Sequence, residues 1–271
     1  MIKQLKLIIA VMFVGCIFTA NAQKLPNVQN VSVRAPQNVK IDGKLNEWDD
    51  SFKAHNSATD ISYIMSNDDE NLYLTVKAAD NTTLNRIVGK GLTLNIYRSG
   101  KKNAKDVASF TYPVTEKGSG LIFTFHPKRL VPDTTAAALA AKIANANKSI
   151  EQKAKNIRVL GVEGVDSLVS VYNDLGIKMR GVVDSKEALD MEFAIPLKYL
   201  KLSTAEGNKF AYQIVVNGIM NMMGMITFTP AEGSTPEQAA RLEASMQQMN
   251  NRMAQQSAPT DFWGEYTLAK K

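Results

Sequence analysis

Beyond residue 38 the chain alternates apolar and polar positions with a period of two, the spacing of half-buried antiparallel strands. The stretches at 61–65, 72–78, 92–97, 108–113 and 121–125 are rich in Val, Ile, Thr, Tyr and Phe, which suit a pleated surface. Between the first two, Ser66-Asn67-Asp68-Asp69-Glu70-Asn71 supplies side chains that hydrogen-bond the backbone of a hairpin turn. The pattern resumes from about 157 to 195, again from 210 to 228, and once more at 262–268. Short strands at regular spacing, divided by turn residues, predict an all-β fold built as an antiparallel β-sandwich.

Two segments break the alternation. Over 133–155, Leu139, Ile143, Ala146 and Ile150 recur at helical spacing among alanines, which predicts an amphipathic helix opening near Pro132-Asp133. Thr235-Pro236-Glu237-Gln238 has the form of a capping box with proline at the first helical position, and it launches a second helix over 235–256. That helix carries Ala239, Leu242, Met246, Met249 and Met253 on one stripe. Both helices are expected as insertions laid against the sandwich and packed on each other. The segment 218–228 has methionine on both faces, so one face needs a cover, which the methionine stripe would supply. Thioether binding of Cu(I) is the alternative chemistry; no Cys or His stands nearby, and packing is the expectation.

The first 22 residues stand apart. Lys3 and Lys6 precede an apolar run that ends at Ala20-Asn21-Ala22, the pattern of a cleaved secretory leader. The run is short for a bilayer span, which takes about 20 residues, so the mature chain is expected to be periplasmic or secreted and not membrane-spanning. A lipoprotein acylated at Cys16 is the alternative, since Phe13-Val14-Gly15-Cys16 loosely resembles a lipobox. Cleavage removes the single cysteine, so the exported chain relies on its core without disulfides. It also lowers the formal charge from +6 to +4, with basic residues scattered among acids, which argues against nucleic acid as a partner. Residues 23–37 are expected as a linker and 38–271 as one domain.

Several short motifs then fall in a telling order. They are Ile41-Asp42-Gly43 with Glu47-Trp48; Asp68 to Val76 with Asp80 after it; Leu92 to Tyr97; Met191-Glu192-Phe193-Ala194-Ile195-Pro196-Leu197; and the closing Phe262-Trp263-Gly264. In this order and spacing the chain resembles the family 9 carbohydrate-binding modules and their wider relatives with a haem- and sugar-binding sandwich. The resemblance spans most of the chain outside the two helices. It implies a jelly-roll type of sandwich, often exported and often attached to enzymes acting on polysaccharides; a fold alone does not decide function.

The chain departs from sugar-binding members in having only two tryptophans. Trp48 and Trp263 sit within the motifs near the chain ends and are expected to close the core, as buried tryptophans do. That leaves Tyr97 and Arg98 at one strand end, Tyr172 in a loop, and Asn217 near another strand end as the candidate ligand-binding residues, meeting at the mouth of the sheet. The simpler reading of these tyrosines is a strand edge with the hydroxyl in water. Acidic clusters at Asp42, Asp49 and Asp50 and at Asp68, Asp69 and Glu70 leave a structural calcium open, although no EF-hand spacing is present. His55 and His126, the only histidines, do not suit haem. No nucleophile elbow, zinc motif or phosphate loop occurs, and the carboxylate pairs Glu163/Asp166 and Asp190/Glu192 read as solvated strand residues. The expectation is a non-catalytic protein binding a carbohydrate or glycan-bearing partner. Its rival is an envelope module that has lost the sugar site and uses its helices to bind protein.

Overall fold

In the computed structural model, which describes residues 24–48, 51–102, 105–115, 135–218, 233 and 235–271 (backbone alone for 252–257), the alternation becomes two antiparallel sheets. The first runs in the order β1 (Ala54–Asn56), β2 (Ile61–Asn67), β3 (Asn71–Ala78), β9 (Leu189–Pro196), β8 (Lys178–Val183). The second runs β11 (Thr260–Thr267), β10 (Lys209–Val216), β4 (Leu92–Tyr97), β5 (Val107–Val114), β6 (Asn156–Leu160), β7 (Leu168–Ser170). One parity of each strand feeds a single core between them: Leu72, Leu74 and Val76 from β3 meet Leu92, Leu94 and Ile96 from β4. Aromatic contacts cross from sheet to sheet, with Tyr63 5.1 Å from Phe262 and Tyr112 edge-on to Phe193 at 6.3 Å between ring centres. The Tyr63 and Tyr212 hydroxyls hydrogen-bond each other at 2.8 Å inside that core, so neither polar end is left unpaired. Two sheets joined through one core are consistent with a sandwich.

Four α-helices, α1 (Asn81–Lys90), α2 (Ala136–Lys153), α3 (Leu197–Leu200) and α4 (Pro236–Ser257), and a 3-10 turn at Asn46–Trp48 complete the described elements. The first lies inside a stretch expected to be all strand. Its cause is local, because the Asp80 side chain accepts from the Thr83 N–H as an N-cap and Leu84, Ile87 and Val88 fall on one buried stripe. The two expected helices form, each a few residues from its expected bounds. Helix α2 buries Ala146 and Ile150, and its Asn147 bonds both the N–H and the carbonyl of Val183, closing part of the β8 edge. Helix α4 begins with the capping box of Thr235 and Gln238, both hydrogen bonds present. Its methionine stripe is not the covered face expected: Leu242 and Met246 are half-buried and Met249 is 39 % exposed. The expected leader at 1–22 with Cys16, the segments 121–125 and 219–228, and Asp49, Asp50 and His126 lie outside the described residues.

The turn at Asp42-Gly43 and the Trp48 that follows it are tied to Glu192 of the distant strand β9. Glycine at 43 takes φ 82°, a conformation that favours glycine, and a Cβ there would come 2.6 Å from Val182. The turn points the N–H groups of Asp42 and Gly43 at one oxygen of Glu192, 3.1 and 2.9 Å away, while the Trp48 indole donates to the other at 2.9 Å. Glu192 is fully buried and is not the solvated strand residue its alternation suggests. Neighbouring Asp190 is buried as well, within 2.9 Å of the Lys77 ammonium, which also reaches Asp184. Trp48, Leu45, Ile64, Tyr73 and Ala194 form a second apolar cluster on the outer side of the first sheet. The stretch expected as a linker is hydrogen-bonded to this body: Gln29 exchanges two bonds with Met65, and residues 33–35 pair with Asn67.

Candidate functional site

On the outer face of the second sheet the register brings polar and aromatic residues into rows. Trp263 of β11 stands opposite Gln213 of β10, which stands opposite Asn95 of β4, which stands opposite Ser109 of β5. In the next row Glu265, Ala211 and Tyr97 align in the same way. The small Ala211 leaves room above β10, and the rings of Trp263 and Tyr97 lean together over it, 4.7 Å between centres and tilted by 36°. Tyr97 lies beneath and is 8 % exposed; Trp263 is half-buried, presenting aromatic surface. Burial holds the Tyr97 phenol above its ordinary pKa, with a further push from Asp261. Trp263 is therefore on the surface, and the core partner in its motif is Phe262, one residue before it.

Beside the rings runs a chain of hydrogen bonds. The Gln213 amide donates to Asp261 at 2.7 Å and accepts from Asn95 at 2.9 Å, while the Tyr97 hydroxyl approaches the same oxygen at 3.4 Å. These bonds fix each side chain before any ligand arrives, which lowers the ordering cost of binding. A cleft of about 470 Å³ adjoins the Trp263 ring, lined by Gln29 to Ser32, by Trp263 to Thr267, and by Lys102 and Lys209. Lys102 places its ammonium 5.4 Å from the Trp263 ring centre. Lys209 pairs with Glu265 at 2.6 Å.

Of the four residues named from sequence, Tyr97 belongs to this face and the others do not. Arg98 turns away and donates to the carbonyls of Leu200, Asp106, Gly161 and Tyr199, tying three connections together. Asn217 follows β10 beyond the opposite end of β4 from Tyr97, about 20 Å along the strand at the usual rise. There its amide bonds the Lys90 and Gly91 carbonyls and the Thr93 hydroxyl. Tyr172, 66 % exposed, sits beyond β7, at the far edge of the sheet from Trp263. Missed from sequence were Trp263, Gln213, Asn95, Asp261 and Lys102. Parity could have found the first four, since Asp261, Trp263 and Glu265 alternate with Phe262 and Tyr266, and Asn95 and Tyr97 with Leu94 and Ile96.

Metal chemistry has little to work with among the described residues, where no group of three or more His, Cys, Asp and Glu is gathered for an ion. Asp68 is engaged by the N–H groups of Glu70 and Asn71 and by the Tyr73 hydroxyl, and these donors hold its carboxyl below the ordinary range against the effect of burial. Asp42 caps its own turn at Lys44 N, and Asp69 pairs with Arg34. Of the carboxylate pairs, Glu192 is sealed under Trp48 and Glu163 pairs with Lys201 in solvent. None of the described helices is long and apolar enough to cross a membrane. Comparison of the chain with protein-family models, with curated proteins and with solved structures finds no match.

Proposed function

We propose that this protein is an exported, non-catalytic binding protein that takes a carbohydrate on the outer face of its second sheet. The observation that carries the reading is the Trp263–Tyr97 pair flanked by the fixed polar row Asp261, Gln213 and Asn95. A pyranose offers an apolar face to an aromatic ring and hydroxyls at its rim, and an indole backed by a second ring beside amide and carboxylate groups complements both. The resemblance to family 9 modules supports the same ligand class, and the jelly-roll form of sandwich, the cleaved leader and a periplasmic or secreted location belong to this proposal. Anchoring through Cys16 is the alternative location.

Affinity electrophoresis through gels containing a panel of polysaccharides tests the reading. At least one should retard the protein, Trp263→Ala should reduce the retardation at least tenfold, and Tyr172→Ala should leave it unchanged. Retardation that survives Trp263→Ala would move the site elsewhere. If no polysaccharide acts, the rival gains: an envelope module binding protein through α4, a reading favoured by the exposed Met249 beside the half-buried Leu242 and Met246.

A further inference from the structure

Resting on the carbohydrate reading, we infer that the glycan is anionic, carrying carboxylate or sulfate groups that Lys102 engages while a sugar ring stacks on Trp263. The charge balance of the cleft is the starting point. Of the charged side chains lining it, Glu265 is paired with Lys209 at 2.6 Å and also feels the charge of Lys102, so two ammonium groups face one carboxylate and Lys102 has none within ion-pair distance among the described residues. Lys102 is an exposed residue, and its ammonium stands over the Trp263 ring, where a stacking sugar would arrive.

That placement discriminates between ligands. A neutral sugar must push the ammonium off the ring and offers only hydroxyls in return. An acidic sugar lets the same ammonium swing to the rim and pair with the ligand's anion, so the displaced contact is replaced by a charge-assisted one. Lysine suits this task, because a compact charge on a four-carbon stem can leave the ring without disturbing the backbone, and it pairs with carboxylate and sulfate alike. The cleft volume of about 470 Å³ lies within the range of small-ligand sites, enough for a sugar beside the ring and its charged substituent under Lys102.

The experiment compares gels of polygalacturonate, chondroitin sulfate and a neutral galactan, run with the purified protein, Lys102→Met, Trp263→Ala and Lys201→Met. The last removes one charge from an exposed ion pair with Glu163, away from the face. Retardation by one or both acidic polymers should exceed that by galactan at least fivefold, and which acidic polymer acts identifies carboxylate or sulfate as the source. Lys102→Met should reduce the acidic retardation about fivefold and should not reduce any neutral retardation, since a neutral sugar no longer has an ammonium to displace, while Lys201→Met has no effect. Added salt at 0.5 M should weaken the acidic interaction alone, as screening requires. Retardation by galactan equal to or above that by the acidic polymers overturns the inference and leaves the carbohydrate reading standing. Retardation by none of the three, or loss through Lys201→Met equal to that through Lys102→Met, overturns it too; the carbohydrate reading falls with it only if the rest of the polysaccharide panel is also without effect. Equal retention on a gel containing a double-stranded DNA fragment would mark the contact as general polyanion binding and also sink it.

Discussion

Glu192 shows how one carboxyl can hold distant parts of a chain together. Burial pushes its carboxyl up from an ordinary 4.5 to about 7, while the Trp48 indole and the Gly43 and Asp42 N–H groups pull the other way by favouring the anion. The unfolded chain releases this proton near 4.5 and the folded one near 7, so folding takes up a proton between those values. The contribution to stability is therefore largest below pH 4.5 and is lost as pH rises through 7, by about 3 kcal/mol at most. The lowered carboxyls of Asp68 and Asp184 act in the opposite sense, and only in more acidic solution. Urea midpoints at pH 5 and pH 8 should fall with pH in the native protein and change far less in Glu192→Gln. That variant should also be less stable at pH 8 by about 1–3 kcal/mol, because its amide must present a donor to one of three donors. An identical slope in both proteins would remove Glu192 as its source. None of this pairing was legible in sequence: Trp48 and Glu192 lie 144 positions apart, and each motif alone shows only a turn or an alternating strand.

At the scale of elements, most of the described strands and the two long helices were legible because their patterns are regular, and α1 was not. Its stripe of Leu84, Ile87 and Val88 is clear in the structure but spans only ten residues, with two threonines, a glycine and four other polar positions, and its Asp80 cap was absorbed into the strand motif before it. The outer face was half legible. Parity set Trp263 among charged residues, yet the usual burial of tryptophan outweighed that sign; the register that brings it across β10 to Tyr97 is a tertiary fact. Helix α4 illustrates the reverse case, a strong local signal with little tertiary return. Removing its cap by Thr235→Ala should cost the helix about 1 kcal/mol, seen as faster amide exchange over 236–245. The global urea midpoint should stay in place, since no described side chain of α4 is buried. A shift of the global midpoint by the same amount would mean that the helix folds as one unit with the sheets.

For the whole molecule, the long excursion between β10 and β11 starts and ends on fixed feet. Val216 and Thr260 are register partners, and the Arg86 guanidinium donates to both the Val216 and Ala258 carbonyls at 2.9 and 2.8 Å. With Asn217 held on the Lys90 and Gly91 carbonyls, the feet are fixed independently of what lies between. Replacing 219–257 by a short Gly-Ser link should leave a cooperative fold within about 1–2 kcal/mol of the parent, as loop-closure entropy changes slowly with length. Any polysaccharide retardation that depends on Trp263 should survive. Its disappearance in a folded variant would show that the excursion contributes to the binding face.

The chain's only two indoles occupy opposite environments, one enclosed with its N–H on a buried carboxylate and the other on the surface against a phenol and an ammonium. Light emission from this protein should accordingly resolve into two channels. Iodide reaching the surface indole should quench one and spare the other, so a single fluorescence cuvette can follow occupancy of the outer face and integrity of the Glu192 corner at the same time.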